Sequence, residues 1–168
     1  AWRYRSMLTL ASRRSGAGWI AGLHRYDAPD EVFALDDCPI ADERVMAAWR
    51  DVLAHGDLLP DAPALRASVR LLGDGAALVV EGADAWDRAP ALLDAVPSLV
   101  AIWWIPAGAR RDRRLVADRG PGQEHGASFT QVNPGVAELM RSHVLSLVER
   151  RKPARVIEDD FSRAQDAI

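Results

Sequence analysis

The side chains able to do chemistry are few and widely spaced. The one cysteine, Cys38, sits in the segment Asp36-Asp37-Cys38-Pro39-Ile40. A single thiol excludes an intramolecular disulfide framework and an all-cysteine metal site, and leaves Cys38 as a buried structural residue or as one ligand of a larger set. The four histidines, His24, His55, His125 and His143, show no metal-ligand spacing, so solvated or capping roles suit them better. Arginines gather in two places: Arg3, Arg5, Arg13, Arg14 and Arg25, interleaved with Trp2, Tyr4 and Trp19, and later Arg110, Arg111, Arg113 and Arg114. Arginine forks hold phosphates and aromatic faces stack on unpaired bases, so both groups suit an RNA-facing surface. Core packing of the aromatics and plain solvation of the charges is the competing reading. The run Phe129-Thr130-Gln131-Val132-Asn133 sets an aromatic ring, an amide and a capping residue in line before a helix. Taken as residues alone, Phe129 is a core side chain, Gln131 a surface amide and Asn133 a helix cap.

The elements that must position these residues follow from periodicity. Residues 3–11 largely alternate, with Tyr4, Leu8 and Leu10 on one face, and a turn at Ser15-Gly16-Ala17-Gly18 leads to a second strand over 19–24. Residues 31–35 suit a third strand. Between Asp42 and His55, Val45, Met46, Trp49, Val52 and Leu53 recur at helical spacing, with Asp42 as cap and Gly56 past the end. Residues 67–72 and 76–80 flank Gly73-Asp74-Gly75 and predict a hairpin. Residues 86–96 predict a helix that Pro90 either begins or kinks, and 99–105 a buried strand. Residues 110–114 read as a charged loop, and 116–126, which lack periodicity, as a surface loop leading into 127–132. Residues 133–151 make the strongest helix: Asn133 caps it, Pro134 fits its first turn, and Arg150, Arg151 and Lys152 complement its negative end before Pro153. Residues 154–157 would begin another strand. Paired strands alternating with single helices predict an α+β fold with a mostly antiparallel sheet and flanking helices.

A chain of 168 residues with 49% hydrophobic content builds one domain, or one and the beginning of a second. No apolar run approaches the ~20 residues that cross a bilayer, and no signal-peptide pattern follows the charged first residues, so a cytoplasmic location is expected. The net charge of −3 gives no general attraction for phosphate, so any nucleic-acid role rests on local patches.

Two segments carry a resemblance. Gly22-Leu23-His24-Arg25-Tyr26 with residues 32–35 and Asp36-Asp37-Cys38-Pro39-Ile40, then Ser128-Phe129-Thr130-Gln131-Val132-Asn133-Pro134-Gly135-Val136, resemble the central region of the bacterial RNA uracil-5-methyltransferases that modify tRNA and rRNA. The Phe-x-Gln-x-Asn element at a helix start is the more specific of the two. The resemblance implies a substrate-side central domain over 1–126. Over 127–168 it implies the start of a Rossmann-like methyltransferase domain, truncated or incomplete. It implies S-adenosylmethionine as cofactor with Gln131 contacting it, Phe129 beside the target base, and Asn133 on the substrate side, ordering the turn. RNA is the implied partner, with neither membrane nor DNA expected.

In that family a cysteine adds to C6 of uracil, the methyl group passes to C5, and a base removes the C5 proton. The late Ser-Cys-Asn-Pro-like motif that holds this cysteine does not occur in these residues. Neither does the glycine-rich cofactor turn or the Asp-Pro-Pro-Arg-like loop. The resemblance therefore assigns no catalytic residue here, and the chain alone is expected to be inactive. Cys38 matches a Cys-Pro whose cysteine, in some members, is the last ligand of an iron-sulfur cluster. One thiolate cannot hold a cluster, so that role belongs to the full protein only. Two other readings stay open: a non-catalytic RNA-binding or protein-interaction module of the same fold, and an unrelated α+β domain whose match is accidental.

Overall fold

The computed structural model describes residues 2–16, 18–109, 112–120 and 133–151. The chain divides into two compact units, Ala1–Ala127 and Ser128–Ile168. Phe129, Gln131 and the strands expected over 127–132 and 154–157 lie outside the described residues.

Strand β1 (Met7–Ser15) turns through Gly16, at φ +58°, into β2 (Gly18–His24), the Ser15–Gly18 pair closing the hairpin. A short β3 (Val32–Ala34) adds to β2. The second hairpin, β4 (Ala64–Leu72) with β5 (Gly75–Glu81), turns on Gly73, whose φ of +58° is what a tight two-residue turn demands of its first central position. After β6 (Leu99–Ile105) and β7 (Arg114–Asp118) the sheet has seven strands in the order β3-β2-β1-β4-β5-β6-β7. Every pair is antiparallel except β5–β6, which runs parallel and is bridged by a short helix, α2 (Ala89–Ala95). The mostly antiparallel α+β expectation holds.

The core forms on one face of this sheet. Helix α1 (Glu43–Ala54) buries Val45, Met46, Trp49 and Val52, and α2 buries Leu92 and Leu93. Together they join one core with Leu8 and Leu10 of β1, Leu65 and Val69 of β4, Leu78 and Val80 of β5, and Ile102 and Trp104 of β6. The Trp49 indole donates to the Leu8 carbonyl at 3.2 Å, tying α1 to the central strand. At the start of α1 the Asp42 carboxylate accepts from the Arg44 backbone N–H at 2.9 Å, satisfying a donor that the helix cannot pair internally. Pro90 stands in the first turn of α2, so it begins that helix without kinking it.

The structure shifts some boundaries. The first strand begins at Met7, because residues before it pair elsewhere: Arg3 and Arg5 donate backbone N–H groups to the Pro39 and Ile40 carbonyls at 2.9 and 2.8 Å. Arg3, at φ +58°, places its guanidinium on the Asp37 carboxylate at 2.7 and 2.9 Å and on the Cys38 carbonyl at 2.9 Å. Residues 116–118, expected in a loop, belong to the edge strand β7, whose few apolar residues are too short a run to show a period. In the second unit, α3 (Pro134–Arg151) forms over the expected residues, with Val136, Leu139, Met140, Val144 and Leu145 exposed.

Close packing makes Gly22 obligatory. A Cβ there would stand 1.6 Å from the Phe33 carbonyl oxygen of β3. Gly22→Ala is therefore expected to destabilise the protein by about 1–3 kcal/mol and to free β3; a chemical-denaturation midpoint equal to that of the parent would contradict this packing.

The clamps also titrate. The Arg44 side chain holds the Asp42 carboxyl below the ordinary carboxylate range, and Arg3 does the same to Asp37. A carboxyl with a lowered folded pKa stabilises the fold above its unfolded value, about 3.9, and that gain is lost as pH falls through the folded value. Solvent screens both pairs, so thermal stability should drop only slightly on their account below about pH 4, and the double variant Asp37→Asn, Asp42→Asn should show a slightly shallower acid limb than the parent.

Candidate nucleic-acid interface

Alternation along β1 sends Leu8, Leu10 and Ser12 into the core and Met7, Thr9, Ala11 and Arg13 to the opposite face. Register carries this division across the sheet. Ala11 pairs with Gly22 and with Arg66, Thr9 with Ser68, Met7 with Arg70, and Arg66 with Glu81. Among the described residues, no helix of this unit packs on that face. Towards β5 and β6 it still buries Ala77, Ala101 and Ile105, which stand apart from the main core.

Across β2, β1 and β4 the same face forms a groove of about 360 Å³, lined by Thr9, Ala11, Arg13, Gly22, His24 and Arg66 among others. Small side chains make the hollow: Ala11, Gly22 and Ala64 put almost nothing above the backbone. Its walls are cationic. The Arg13 side chain makes no hydrogen bond or ion pair with any other described residue. Arg66 is 60% exposed and paired with Glu81 beside it on β5. His24 is exposed at the rim. Further along the face Arg70 is only 8% exposed, and burial, with the nearby positive charge of Arg113 second, holds its guanidinium below the ordinary arginine value.

Four of the arginines singled out in the sequence are engaged by local acids. Arg3 belongs to the Asp37 clamp. Arg14 stacks on Trp19, 4.8 Å from the ring centroid, and pairs with Asp61 at 3.4 Å. Arg25 pairs with Asp27 at 2.9 Å and Glu31 at 3.5 Å. Arg114 holds Asp112 and lies over Trp104, 5.4 Å from the ring centroid. The Arg5 Nε is buried without a hydrogen-bond partner, and Arg110 and Arg111 lie outside the described residues. Of the aromatics, Trp19 is core and Trp2 is 74% exposed. The structure thus places Arg13 alone of the first group in the groove, and adds Arg66 from β4. The signal for Arg66 was present: Arg66, Ser68 and Arg70 alternate with Leu65, Ala67 and Val69.

Cys38 is partly buried against the core, and its carbonyl serves the Arg3 clamp. Among the described residues no group of three His, Cys, Asp or Glu side chains could hold a metal ion, and a lone cysteine does not fit an iron-sulfur cluster. His55 contacts the Asp51 carbonyl at the end of α1, His143 lies on the exposed surface of α3, and His125 is outside the described residues. Asn133 is described, and its side-chain oxygen accepts from the Val136 backbone N–H at 3.2 Å. It caps α3. Gln131 and Phe129, the residues expected to meet cofactor and base, lie outside the described residues.

No protein-family model matches the chain, and no curated protein matches its sequence. Among solved structures, it is similar to the tRNA (uracil-54, C5)-methyltransferase of Pyrococcus abyssi in complex with S-adenosyl-L-homocysteine, at 13% identity and a TM-score of 0.49. The match covers 84% of this chain and 40% of that one, so this chain spans less than half the length of that protein. Among the described residues no helix is long and apolar enough to cross a membrane.

The Asn133 cap separates two roles for one side chain. Asn133→Ala is expected to cost about 1 kcal/mol of helix stability, whereas Asn133→Ser, which keeps an acceptor, should cost little. Circular dichroism across a thermal melt would show it, and equal losses for both substitutions would contradict a capping role.

Proposed function

We propose that this chain is the substrate-side part of an S-adenosylmethionine-dependent RNA uracil-C5 methyltransferase acting on tRNA or rRNA, with residues 1–126 as the central domain and 127–168 as the start of the catalytic domain. The observation that supports the reading is Asn133: the Phe129–Asn133 element ends on a side chain that caps an 18-residue helix, which is compatible with the turn-ordering role the resemblance implies. The other resembling segment, residues 22–40, forms the end of β2, then β3 and the Arg3-clamped loop.

In this reading Gln131 contacts the methyl donor. A carboxamide both donates and accepts, so it can hold a zwitterionic ligand without adding charge. Phe129 faces an extruded uracil, which every enzyme working on a stacked base must first unstack. Asn133 orders the turn that aims both. The bound cofactor supplies the methyl group; the nucleophile and the base come from parts of the enzyme other than these residues. Cys38 stays structural.

The full gene product should transfer a labelled methyl group from S-adenosylmethionine to uridine in RNA, while the 168-residue chain alone should not. Gln131→Ala in the full protein should weaken cofactor binding with RNA affinity retained. Undiminished cofactor affinity in that variant, or methylation by the isolated chain, would overturn the assignment. The basic groove, which lies wholly within the first unit, favours one second reading, an RNA-binding module without catalysis. Salt-dependent RNA affinity with no S-adenosylmethionine binding by the full product would select it.

A further inference from the structure

We propose that the groove across β2, β1 and β4 is a track for the sugar-phosphate backbone of a single RNA strand, with Arg13 as its principal phosphate contact and Arg66 as the second. The inference rests on the RNA-substrate reading above and adds to it a location and a mode of recognition.

Three observations converge. First, the charge is uncommitted where it matters. Arg14 and Arg25 are matched by neighbouring carboxylates, whereas Arg13 points a guanidinium at the helix-free face with no partner among the described residues. An arginine on a strand with no counter-ion suits a phosphate, whose oxygens its fork can meet two at a time. Second, the spacing suits a chain of charges. Arg66 lies opposite Ala11, two residues from Arg13 on the adjacent strand. Such diagonal neighbours stand about 7–8 Å apart, on the scale of successive phosphates along one strand. Third, the floor suits a backbone more than bases. Ala11, Gly22 and Ala64 allow close approach, the Thr9 hydroxyl can serve a ribose or phosphate oxygen, and among the described lining residues no Phe, Tyr or Trp offers a base a stacking platform, His24 being the one ring at the rim. Contacts of this kind position an RNA without reading its sequence.

Glu81 then has a defined part. Bound to Arg66 on the same face, it offsets one of the two guanidinium charges and holds the groove below its full attraction for a polyanion. Removing that carboxylate should strengthen binding, an effect that damage to the fold would not produce.

The test is the affinity of the full-length protein for unstructured RNA oligonucleotides of several sequences, measured across a range of salt concentrations. Arg13→Ala should weaken binding to a similar extent for all sequences and reduce the slope of log K against log salt by about 0.7, the share of one single-strand phosphate. Glu81→Gln should tighten binding. Arg50→Ala, which removes an exposed cation from α1 on the helix-covered face, should change neither quantity. RNA affinity and salt slope that ignore both Arg13→Ala and Glu81→Gln would overturn the proposal even if methyl transfer is intact, as would capture of an acidic protein segment by the groove with RNA binding untouched. Absent methyl transfer with the predicted response at Arg13 and Glu81 would instead leave the groove standing and remove the methyltransferase reading.

Discussion

The sheet of the first unit is held to a single register by what it buries. Leu8 and Leu10, Leu65 and Val69, Leu78 and Val80 all face α1 and α2, and a slip of one residue in any central strand would send its apolar set to the other face. The helix-free face is the complement of that commitment. Arg13, Arg66 and Arg70 reach it because their neighbours in sequence are needed in the core, so the positions of these charges are set by packing on the far side of the backbone. The groove is thus as rigid as the core beneath it, which is the condition for a binding surface made on strands and not on loops.

A second constraint is electrostatic. The chain carries a net charge of −3, and several of its arginines are bound to acids close by: Arg3 to Asp37, Arg25 to Asp27 and Glu31, Arg44 to Asp42 and Arg114 to Asp112. Pairs so exposed add little to stability. Each such pair cancels positive potential locally, so that attraction for a polyanion rests on the guanidinium groups that lack a counter-ion. An acidic protein can in this way present a local cationic track.

Much of this was legible from residue patterns. The alternation of Leu8 and Leu10, the spacing of Val45, Met46, Trp49 and Val52 behind Asp42, the turn at Gly73 and the cap at Asn133 each report local physics, and each element formed. One feature was not legible and one was legible but set outside its strand. The parallel pairing of β5 with β6 leaves no mark, since the buried run over Leu99–Ile105 looks the same in either direction. Arg66 fell outside the strand read as 67–72, and only its register opposite Ala11 brings it beside Arg13. The arginines that did stand out in the sequence were conspicuous through clustering, and clustered charges are those most readily matched by equally local acids. Phe129 and Gln131 remain a matter of resemblance.

The central seam of the sheet, where β1 meets β4, also sets how the molecule must assemble. The two hairpins are local and close quickly, but Met7 finds Arg70 only after β2, β3 and α1 have been gathered between them. Closing that long loop costs entropy before any burial repays it, and the groove does not exist until it is done. The groove therefore depends on the strand pairing of longest sequence separation in the first unit, and the formation of either hairpin alone does not build it.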